Sequence, residues 1–363
     1  MLRLRAFHLQ HVQHARRRDV YGVLACTRPA AGKGSTHQGV SADLSGLGIA
    51  VGHATNSAGA TGITIVRGID RPFRCAAVVI GRATGTRELH TASPFHLVER
   101  VDAVVLTGGS AYGLDATAGA MRWMEERGRG HPVNGGVVPI IPAAVIFDLM
   151  PLGGFSARPT PVMAYDACES ATPTGIPEGS VGAGTGATVG KAGGIAGAMK
   201  GGVGVGSAGA GGVMTGAVAV VNALGDVRDA NGAIIAGARD ADGQFLDGAR
   251  LIAEGGVRRK FPDATLQNTT IAVVASSASL SRIELSQLAQ ASAAALFRRI
   301  TPTGTSFDGD VIFAICPLDG PAAPPPQVEG LVVAALEEAV ERAVRFAVGR
   351  DGIPGLADGA STR

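Results

Sequence analysis

Two short apolar segments in the last third of the chain, separated by a capped helix, constrain the fold more than any other feature. Residues 269–275 have the pattern of a strand buried on both faces, and residues 310–315 have the same pattern. Between them, Ser281 and Glu284 stand at the spacing of a capping box, which begins a helix. The predicted buried stripe of this helix consists of Leu285, Leu288, Ala289, Ser292, Ala295 and Leu296. We therefore expect the two strands to pair in the core of the fold.

A threonine opens the first of these strands, and two carboxylates stand where the second begins. A cut between Asn268 and Thr269 would give Thr269 a free α-amine beside its own hydroxyl. Such an amine titrates near pH ~8, so it can accept the hydroxyl proton. A threonine activated by an N-terminal amine is a recognised nucleophile. Asp308 and Asp310 point to the same face if both lie on the strand, and strand pairing would carry them toward Thr269.

The same residues permit plainer interpretations. Asn268-Thr269-Thr270 is a common polar start of a strand, and it also fits the N-glycosylation pattern, which requires a secreted chain. Asp308-Gly309 is a common hairpin turn. Two carboxylates without a third ligand nearby are a weak indication of a metal site. From the residues alone, these alternatives stay open.

The rest of the chain is predicted to alternate short strands with glycine-rich turns. Further predicted strands are residues 60–66, 75–80, 103–106 and 217–222. A helix is predicted from Ser110, after the turn formed by Gly108 and Gly109. Its predicted buried stripe consists of Ala111, Leu114, Ala118 and Met121. A glycine turn of this kind leaves backbone N–H groups that suit an anion or a substrate carboxylate, or it is simply a tight strand-to-helix turn.

The end of the chain is predicted to be a surface loop, a helix and a loose tail. The loop spans residues 321–326, the helix spans residues 328–348, and the tail begins at Gly349. Two ion pairs with i,i+4 spacing are expected on the exposed face of this helix, Glu338 with Arg342 and Glu341 with Arg345.

Glycine is the unusual component of the composition, with 54 of 363 residues, about twice the usual ~7%. Residues 182–212 are densest in it, but the third glycine of Gly182-Ala-Gly184-Thr-Gly186 comes too early for a dinucleotide-binding fingerprint, and no acidic residue stands about twenty residues further on to bind a ribose. Close backbone packing and a substrate-lining loop explain these glycines better. Within this stretch, Lys191 is either a site residue or a solvated surface lysine.

Charge, cysteine content and hydropathy exclude several classes of function. The net charge of +2 gives no electrostatic case for binding nucleic acid, and no apolar run of ~18 residues suits a membrane span. The cysteines Cys26, Cys75, Cys168 and Cys316 are isolated, so we expect reduced thiols and neither zinc nor a disulfide framework. Residues 1–40 are arginine-rich and lack a signal-peptide core. We expect them to be a disordered extension of one domain, residues 41–363, although a basic surface helix remains an alternative.

Six short motifs stand in an order that is similar to a known family. They are Gly52-His53-Ala54-Thr55, residues 106–115, residues 181–184 with Gly190-Lys191, Val220-Val221-Asn222 with Gly225-Asp226, Asn268-Thr269-Thr270-Ile271, and Phe307-Asp308-Gly309-Asp310. From about residue 46 to residue 348 the chain resembles the DmpA/BapA-type N-terminal-nucleophile hydrolases. This family includes β-peptidyl aminopeptidases, L-aminopeptidase/D-esterases and the nylon-oligomer hydrolase NylC.

The resemblance implies an α/β fold and a processed chain. The fold is a four-layer αββα sandwich of the DmpA/ornithine acetyltransferase type. Self-cleavage would give an α chain that ends at Asn268 and a β chain of residues 269–363. The family also implies a homo-oligomer of such α/β pairs.

Roles for individual residues follow from the same resemblance. Thr269 stands where the family has its nucleophile, and Asn222 stands where it has an Asn suited to donate to an oxyanion. Asp308 and Asp310 resemble the acidic pair of the nylon-hydrolase branch, and Lys191 matches a lysine at the mouth of its site. The residues expected to bind substrate are Gly108, Gly109, Tyr112 and Phe147. That branch has a tyrosine in place of Phe147, which argues against nylon-oligomer activity more than against hydrolysis.

Together these features predict a cytoplasmic, self-processing amidohydrolase that needs neither cofactor nor metal. Aminopeptidase action on small peptides or amides, through an acyl-Thr269 intermediate, is the expected reaction, and Asp308 and Asp310 could hold the substrate ammonium group. One alternative is acyl transfer of the ornithine acetyltransferase type. Another is a non-catalytic scaffold or binding protein that stays uncut, and a third is nucleic-acid binding through the arginine-rich first forty residues.

Overall fold

The computed structural model describes residues 42–255 and 268–359, and the fold is given for these residues. The strands are β1 (Ile49–Asn56), β2 (Thr61–Gly68), β3 (Phe73–Val79), β4 (Thr86–Arg87), β5 (Ala103–Thr107), β6 (His131–Val133), β7 (Gly136–Val138), β8 (Ala143–Val145), β9 (Thr188–Val189), β10 (Met199–Lys200), β11 (Gly202–Ala210), β12 (Val213–Asn222), β13 (Asp226–Arg228), β14 (Ile234–Ala236), β15 (Thr269–Ser276), β16 (Ile300–Thr301) and β17 (Val311–Pro317). The α-helices are α1 (Thr117–Glu125), α2 (Pro161–Glu169), α3 (Gly248–Ala253), α4 (Arg282–Arg299) and α5 (Pro325–Arg345).

Two mixed sheets lie face to face, and helices cover the outer face of each. The first sheet has the strand order β1-β2-β5-β8-β4, and the second has the order β11-β12-β15-β17-β3. The core between them includes Leu106 from the first sheet and Val220, Ile271 and Phe313 from the second. Helices α1 and α2 pack on the first sheet, and α4 and α5 pack on the second. The described residues therefore form the αββα sandwich that the resemblance implied.

The predicted pair of core strands and the helix between them are confirmed. Strands β15 and β17 run parallel, with Ile271 opposite Val311, and α4 begins with the capping box of Ser281 and Glu284. All six residues of the predicted stripe on α4 are buried. The strands predicted at 60–66, 75–80, 103–106 and 217–222 correspond to β2, β3, β5 and β12.

Glycines of β11 let α5 lie directly on the second sheet. A Cβ atom added to Gly204 would come within 2.0 Å of the carbonyl oxygen of Ala339, and one added to Gly206 within 2.1 Å of that of Ala335. Only a residue without a side chain permits this approach. The prediction of close backbone packing is thus confirmed for this part of the glycine-rich stretch.

The helix predicted from Ser110 begins differently. Residues Ser110–Ala116 form 3-10 turns, and the α-helix starts at Thr117. A 3-10 turn has three residues instead of 3.6, so it rotates the following face of the helix. The predicted stripe was therefore wrong in part. Leu114 and Met121 are partly buried against the core, but Ala111 and Ala118 are exposed, whereas Ala120 and Trp123 are buried.

Three expectations about the end of the chain were also wrong in whole or in part. Helix α5 begins at Pro325, three residues earlier than predicted. Proline is tolerated in the first turn of a helix because the N–H that it lacks would have no hydrogen-bond partner within the helix. Arg345 pairs with Glu341 as predicted, but Arg342 pairs with Glu178. Part of the tail is held in place, because the backbone N–H of Gly349 donates to Asp358 and that of Lys200 to the carbonyl oxygen of Pro354.

Some expectations fall partly or wholly outside the described residues. These are the expectations for residues 1–40 and for Cys26. Cys75, Cys168 and Cys316 are free thiols, as predicted. In residues 42–255 and 268–359, no helix is long and apolar enough to cross a membrane.

Candidate active site

Thr269 is the first residue of β15, which lies between β12 and β17. Its side chain is buried, with 5% of the residue exposed. Its Oγ1 donates a hydrogen bond of 2.6 Å to the carbonyl oxygen of Asn268. The same carbonyl accepts the backbone N–H of Gly309 at 2.9 Å. The hydroxyl of Thr269 and the peptide bond before it are therefore held against each other.

Gly309 leaves the space that this arrangement needs. A Cβ atom at this position would lie 2.6 Å from the carbonyl oxygen of Ala83 and 2.9 Å from Thr269 Oγ1. Both distances are shorter than a normal van der Waals contact. A larger residue between Asp308 and Asp310 would push on the Thr269 hydroxyl directly.

Asn222 lies opposite Thr269 in the antiparallel pair of β12 and β15. Its Oδ1 accepts the backbone N–H of Thr188 and the ammonium group of Lys191, each at 3.0 Å. These two donors fix the orientation of the amide, and its Nδ2 donates to the carbonyl oxygen of Phe147 at 3.1 Å. An amide carries two N–H groups, so Asn222 has a second N–H that can donate a hydrogen bond.

Lys191 is a buried residue of this network, with 3% of its surface exposed. Its ammonium group donates to both the carbonyl oxygen and Oδ1 of Asn222, at 3.0 Å each. The interpretation of Lys191 as a solvated surface lysine is therefore wrong. The hydrogen bond from Lys191 to Oδ1 polarises the amide of Asn222 and makes its N–H groups better donors.

Asp310 is buried just before β17 and holds the start of β15. Its Oδ1 accepts the backbone N–H of Thr270 at 2.6 Å. Its Oδ2 accepts Thr303 Oγ1 at 2.9 Å and the N–H of Gly304 at 3.1 Å. Burial and the charge of Asp308 raise the pKa of Asp310 to about 7, although the three donors oppose this rise.

Asp308 lies beside Asn268 instead of within a strand. The two residues form an isolated parallel bridge, and Asp308 Oδ2 accepts the N–H of Thr305 at 2.7 Å. Strand β17 begins only at Val311, so Asp308 and Asp310 both precede it. The prediction that strand pairing brings these acids toward Thr269 is confirmed for the backbone, because they flank the Gly309 that contacts it.

A cavity of about 150 Å³ opens onto Thr269. Its walls are formed by Ala83, Thr84, Gly85, Ser110, Ala111, Val145, Phe147, Asn268 and Thr269. Of the four residues expected to bind substrate, Phe147 lies in this wall. Tyr112 directly follows the wall residue Ala111 in the sequence and is 52% exposed. The segment from Ala83 to Gly85 also lies in this wall and carried no sequence signal.

Gly108 and Gly109 lie behind the wall of the cavity. The N–H of Gly108 donates to the carbonyl oxygen of Gly62 and that of Ser110 to Ile146. The N–H of Gly109 donates to Asp148 Oδ1 at 2.6 Å. The expectation that this turn offers free N–H groups to an anion is therefore wrong, because the protein itself uses all three.

Asp148 and Lys200 form a buried support that the sequence analysis missed. Asp148 Oδ2 also accepts the hydroxyl of Thr61 at 2.7 Å, and burial raises the pKa of Asp148 to about 6. Lys200 donates to the carbonyl oxygens of Thr185 and Ala187 at 2.9 and 2.7 Å, and burial lowers its pKa to about 7. A signal for Asp148 was its place directly after Phe147. Lys200 had no sequence signal except that it is, with Lys191, one of the two lysines of residues 182–212.

Two plainer interpretations of the site do not fit its geometry. Asn268 is only 1% exposed, which leaves no room for a glycan. No group of three His, Cys, Asp or Glu residues in the described ranges could hold a metal ion.

The comparisons with known proteins agree with this geometry. The model of Peptidase family S58 matches residues 43–351. An uncharacterised aminopeptidase of Mycobacterium leprae (strain TN) is 41% identical over 333 residues, covering 83% of this chain and 88% of the relative. The 6-aminohexanoate-oligomer endohydrolase of Kocuria sp. (strain KY2) is 31% identical over 274 residues, covering 74% of this chain and 72% of the relative.

A solved structure shows that the fold, as well as the sequence, is similar to that of a known enzyme. The L-aminopeptidase D-Ala-esterase/amidase of Ochrobactrum anthropi, a variant of the Ntn-hydrolase fold, is similar with a TM-score of 0.61 and 19% sequence identity. The match covers 83% of this chain and 84% of that chain. The family match and the amide-hydrolysing relatives together make the chain an enzyme that acts on amide bonds. It belongs to Peptidase family S58.

Proposed function

We propose that this enzyme is an N-terminal-threonine amidohydrolase that cuts itself between Asn268 and Thr269 and then acts as an aminopeptidase on small peptides or amides. The contact of 2.6 Å between Thr269 Oγ1 and the carbonyl oxygen of Asn268 supports this most strongly. It joins a hydroxyl to the peptide bond that would be cut. The bond lies at the start of a buried strand, where a new N-terminus would stay in place.

Self-cleavage would begin with attack of Thr269 Oγ1 on the carbonyl carbon of Asn268. The hydroxyl turns away from the carbonyl oxygen, and its proton passes to the nitrogen of Thr269 as the peptide bond breaks. The N–H of Gly309, at 2.9 Å, stabilises the negative charge that develops on the carbonyl oxygen. Water then hydrolyses the ester, leaving a carboxylate on Asn268 and a free amine on Thr269.

Substrate hydrolysis would repeat this chemistry with the new amine as the base. The amine takes the proton of Thr269 Oγ1, which attacks the substrate carbonyl and forms an acyl ester. The second N–H of the Asn222 amide, polarised by Lys191, donates to the oxyanion. The leaving amine takes the proton from the Thr269 ammonium, and water releases the acyl group.

Asp308 and Asp310 would have different roles in this scheme. Both oxygens of Asp310 already accept hydrogen bonds from Thr270, Thr303 and Gly304. We assign Asp310 the role of positioning β15 and its first residue instead of binding substrate. Asp308, beside Asn268, remains the acid for the substrate ammonium group.

The names of the relatives support aminopeptidase action over endohydrolysis of nylon oligomers. The relative that is 41% identical is called an aminopeptidase, and the endohydrolase is 31% identical. Phe147 also lacks the hydroxyl that the resemblance places in the nylon-hydrolase branch. We further propose a homo-oligomer of α/β pairs in the cytoplasm, where the free thiols of Cys75, Cys168 and Cys316 would stay reduced.

Intact-mass spectrometry of the purified full-length chain under denaturing conditions tests the proposal. We expect two species, residues 1–268 and residues 269–363, with Thr269 at the new N-terminus. The Thr269→Ala variant should give one uncut species that hydrolyses no small peptide. Thr270→Val is the matched control, because Thr270 Oγ1 is buried without a hydrogen-bond partner in the described residues and its N–H is kept.

Other outcomes would point to other functions. Amide hydrolysis by Thr269→Ala would show that Thr269 is not the nucleophile. A wild-type chain that remains uncut and inactive would favour the non-catalytic scaffold. A product that forms only when an acceptor amine is added would favour acyl transfer.

A further inference from the structure

Beside the cavity at Thr269, an arginine is packed between two exposed aromatic rings. Tyr112 and Phe155 are 52% and 55% exposed, and their ring centroids are 6.3 Å apart in an edge-to-face arrangement. The guanidinium carbon of Arg158 lies 3.5 Å from the centroid of Tyr112 and 5.5 Å from that of Phe155. The rings hold the cation in one orientation by cation–π attraction.

The charge of Arg158 has no counter-charge in the part of the chain that the structure describes. None of the ion pairs and hydrogen bonds of residues 42–255 and 268–359 includes its side chain, and its Nε is buried without a partner. The planar guanidinium matches the two oxygens of a carboxylate. An oriented arginine of this kind is suited to a carboxylate ligand.

Two contacts fix this cluster next to the candidate active site. Tyr112 directly follows Ser110 and Ala111, which line the cavity at Thr269. Pro159, the residue after Arg158, packs against Gly109, where an added Cβ atom would lie 2.8 Å from its Cδ. The cluster therefore adjoins the cavity wall through the segment Gly109 to Ala111.

The size of the cavity requires part of the substrate to lie outside it. Its volume of about 150 Å³ is below the ~300 to ~1,000 Å³ of ordinary ligand pockets. A dipeptide bound with its carbonyl carbon at Thr269 would extend along Ser110 and Ala111. Its next group would meet Tyr112 and Arg158.

We propose that Tyr112, Phe155 and Arg158 form a subsite for the C-terminal carboxylate of a short peptide substrate. This inference rests on the proposed function, because it places the carboxylate on the leaving-group side of the bond that Thr269 attacks. The enzyme is then selective for di- and tripeptides with a free C-terminus. Peptides whose C-terminus is amidated bind less well because they leave the charge of Arg158 unpaired.

Matched substrates and matched variants test the subsite. The substrates are alanyl-alanine and its C-terminal amide, which differ at the carboxylate. The variants are Arg158→Gln, which removes the charge, and Arg158→Lys, which keeps it. Arg122→Gln is the control, because Arg122 also stacks on a tyrosine, at 4.7 Å from the ring centroid of Tyr165, on the exposed side of α1.

In wild type we expect kcat/KM to be about tenfold higher for the free dipeptide than for the amide, mainly because KM is lower. A factor of this size is what a partly exposed, charge-assisted hydrogen bond contributes. Arg158→Gln should remove this preference and leave hydrolysis of the amide within about twofold. Arg158→Lys should keep part of the preference for the free dipeptide, and Arg122→Gln should keep all of it. An equal loss for both substrates in Arg158→Gln would show a purely structural role and overturn the proposal.

Binding separates this subsite from the proposed reaction. The full-length Thr269→Ala chain is titrated with alanyl-alanine and with its amide, and the Thr269→Ala/Arg158→Gln double variant is treated in the same way. The subsite is supported if the Thr269→Ala chain binds the free dipeptide more tightly than the amide and the double variant loses this preference. If the wild type also hydrolyses neither compound, the proposed function is wrong but the subsite still stands. Equal binding of the two compounds by the Thr269→Ala chain overturns the subsite whatever the activity.

Discussion

The two ends of the parallel strands β15 and β17 each open onto a cavity, and the two cavities differ in chemistry. At the amino ends, about 150 Å³ is bounded by Thr269, with Asn222, Lys191 and Asp310 buried around it. At the carboxyl ends, about 290 Å³ is lined by residues such as Ala275, Ile315 and Pro317. The larger cavity includes the charged residues Asp70 and Arg71 in its lining but none of the predicted site residues, so volume is a poor guide to the candidate site in this fold.

The direction of the strands agrees with our proposal that the smaller cavity carries the chemistry. In open α/β sheets, ligands usually bind at the carboxyl ends of the strands. A nucleophile that must also be a new N-terminus can only stand at the amino end of its strand. In this enzyme the polar network around Thr269 accordingly lies at the amino ends of these strands, and we call it the amino-end network. It is built from the residues that precede β15 and β17 and from the end of the antiparallel β12.

The first and largest test of this contrast is the substitution Asn222→Asp. It keeps an acceptor for Lys191 and Thr188 but removes the N–H groups that face Phe147 and, in our scheme, the oxyanion. Loss of one oxyanion donor lowers the rate by a factor of ~100 to ~1,000. We expect that loss in kcat for a small peptide, together with slower self-cleavage by intact mass.

Thr188→Val is the control for this variant. It keeps the backbone N–H that donates to Asn222 and removes only a hydroxyl at 3.5 Å. Its kcat should stay within a few fold of wild type. If Asn222→Asp retains more than a tenth of the wild-type rate, then the amino-end network does not supply the oxyanion donor.

The residues of the amino-end network that lie in runs with a recognisable pattern could be predicted from the sequence. Thr269, Asn222 and Asp310 each stand at the start or end of an apolar strand, and such positions can be read from periodicity and resemblance. Asp148 and Lys200 could not be found in this way. Their partners, Thr61, Gly109, Thr185 and Ala187, come together only through the packing of β2, the turn after β5 and the glycine-rich segment.

The same distinction applies to the fold. The capping box and stripe of α4 are local, so the sequence predicts them well. The pairing of Arg342 with Glu178, 164 residues away, is a contact across the structure, and the local i,i+4 rule predicted the wrong partner. The start of α1 was misplaced because the 3-10 turn at Ser110–Ala116 has no local signal in the sequence, and the preceding Gly108-Gly109 turn is held by hydrogen bonds to the distant residues Asp148 and Gly62.

The second test concerns the protonation of Asp310 at the amino end. Its pKa is raised to about 7 by burial and by Asp308, whereas the unfolded value is near 3.8. Between these values the folded chain holds a proton that the unfolded chain has lost. The contribution of Asp310 to stability is therefore full below pH ~4 and is lost as the pH rises toward 7, by up to about 1.4 kcal/mol per pH unit.

Urea unfolding of the uncut Thr269→Ala chain, with and without Asp310→Asn, measures this contribution. Asn keeps the volume of the side chain but has no proton to lose, so the difference in free energy of unfolding isolates Asp310 from other buried acids such as Asp148. We expect the difference to change steadily between pH 4.5 and 7. A difference that stays constant over this range would mean that the hydrogen bonds from Thr270, Thr303 and Gly304 keep Asp310 ionised.

The third test predicts the smallest effect and concerns the carboxyl-end cavity. Asp70 and Arg71 carry the charges in its lining, and both are exposed. Substitution of exposed residues away from a site changes free energies by no more than about 0.5 kcal/mol. We therefore expect the double variant Asp70→Asn/Arg71→Ala to change kcat/KM for small peptides by less than about twofold. A tenfold change would mean that the substrate reaches the larger cavity, and the chemistry would then have to be sought at the carboxyl ends of β15 and β17 instead of at Thr269.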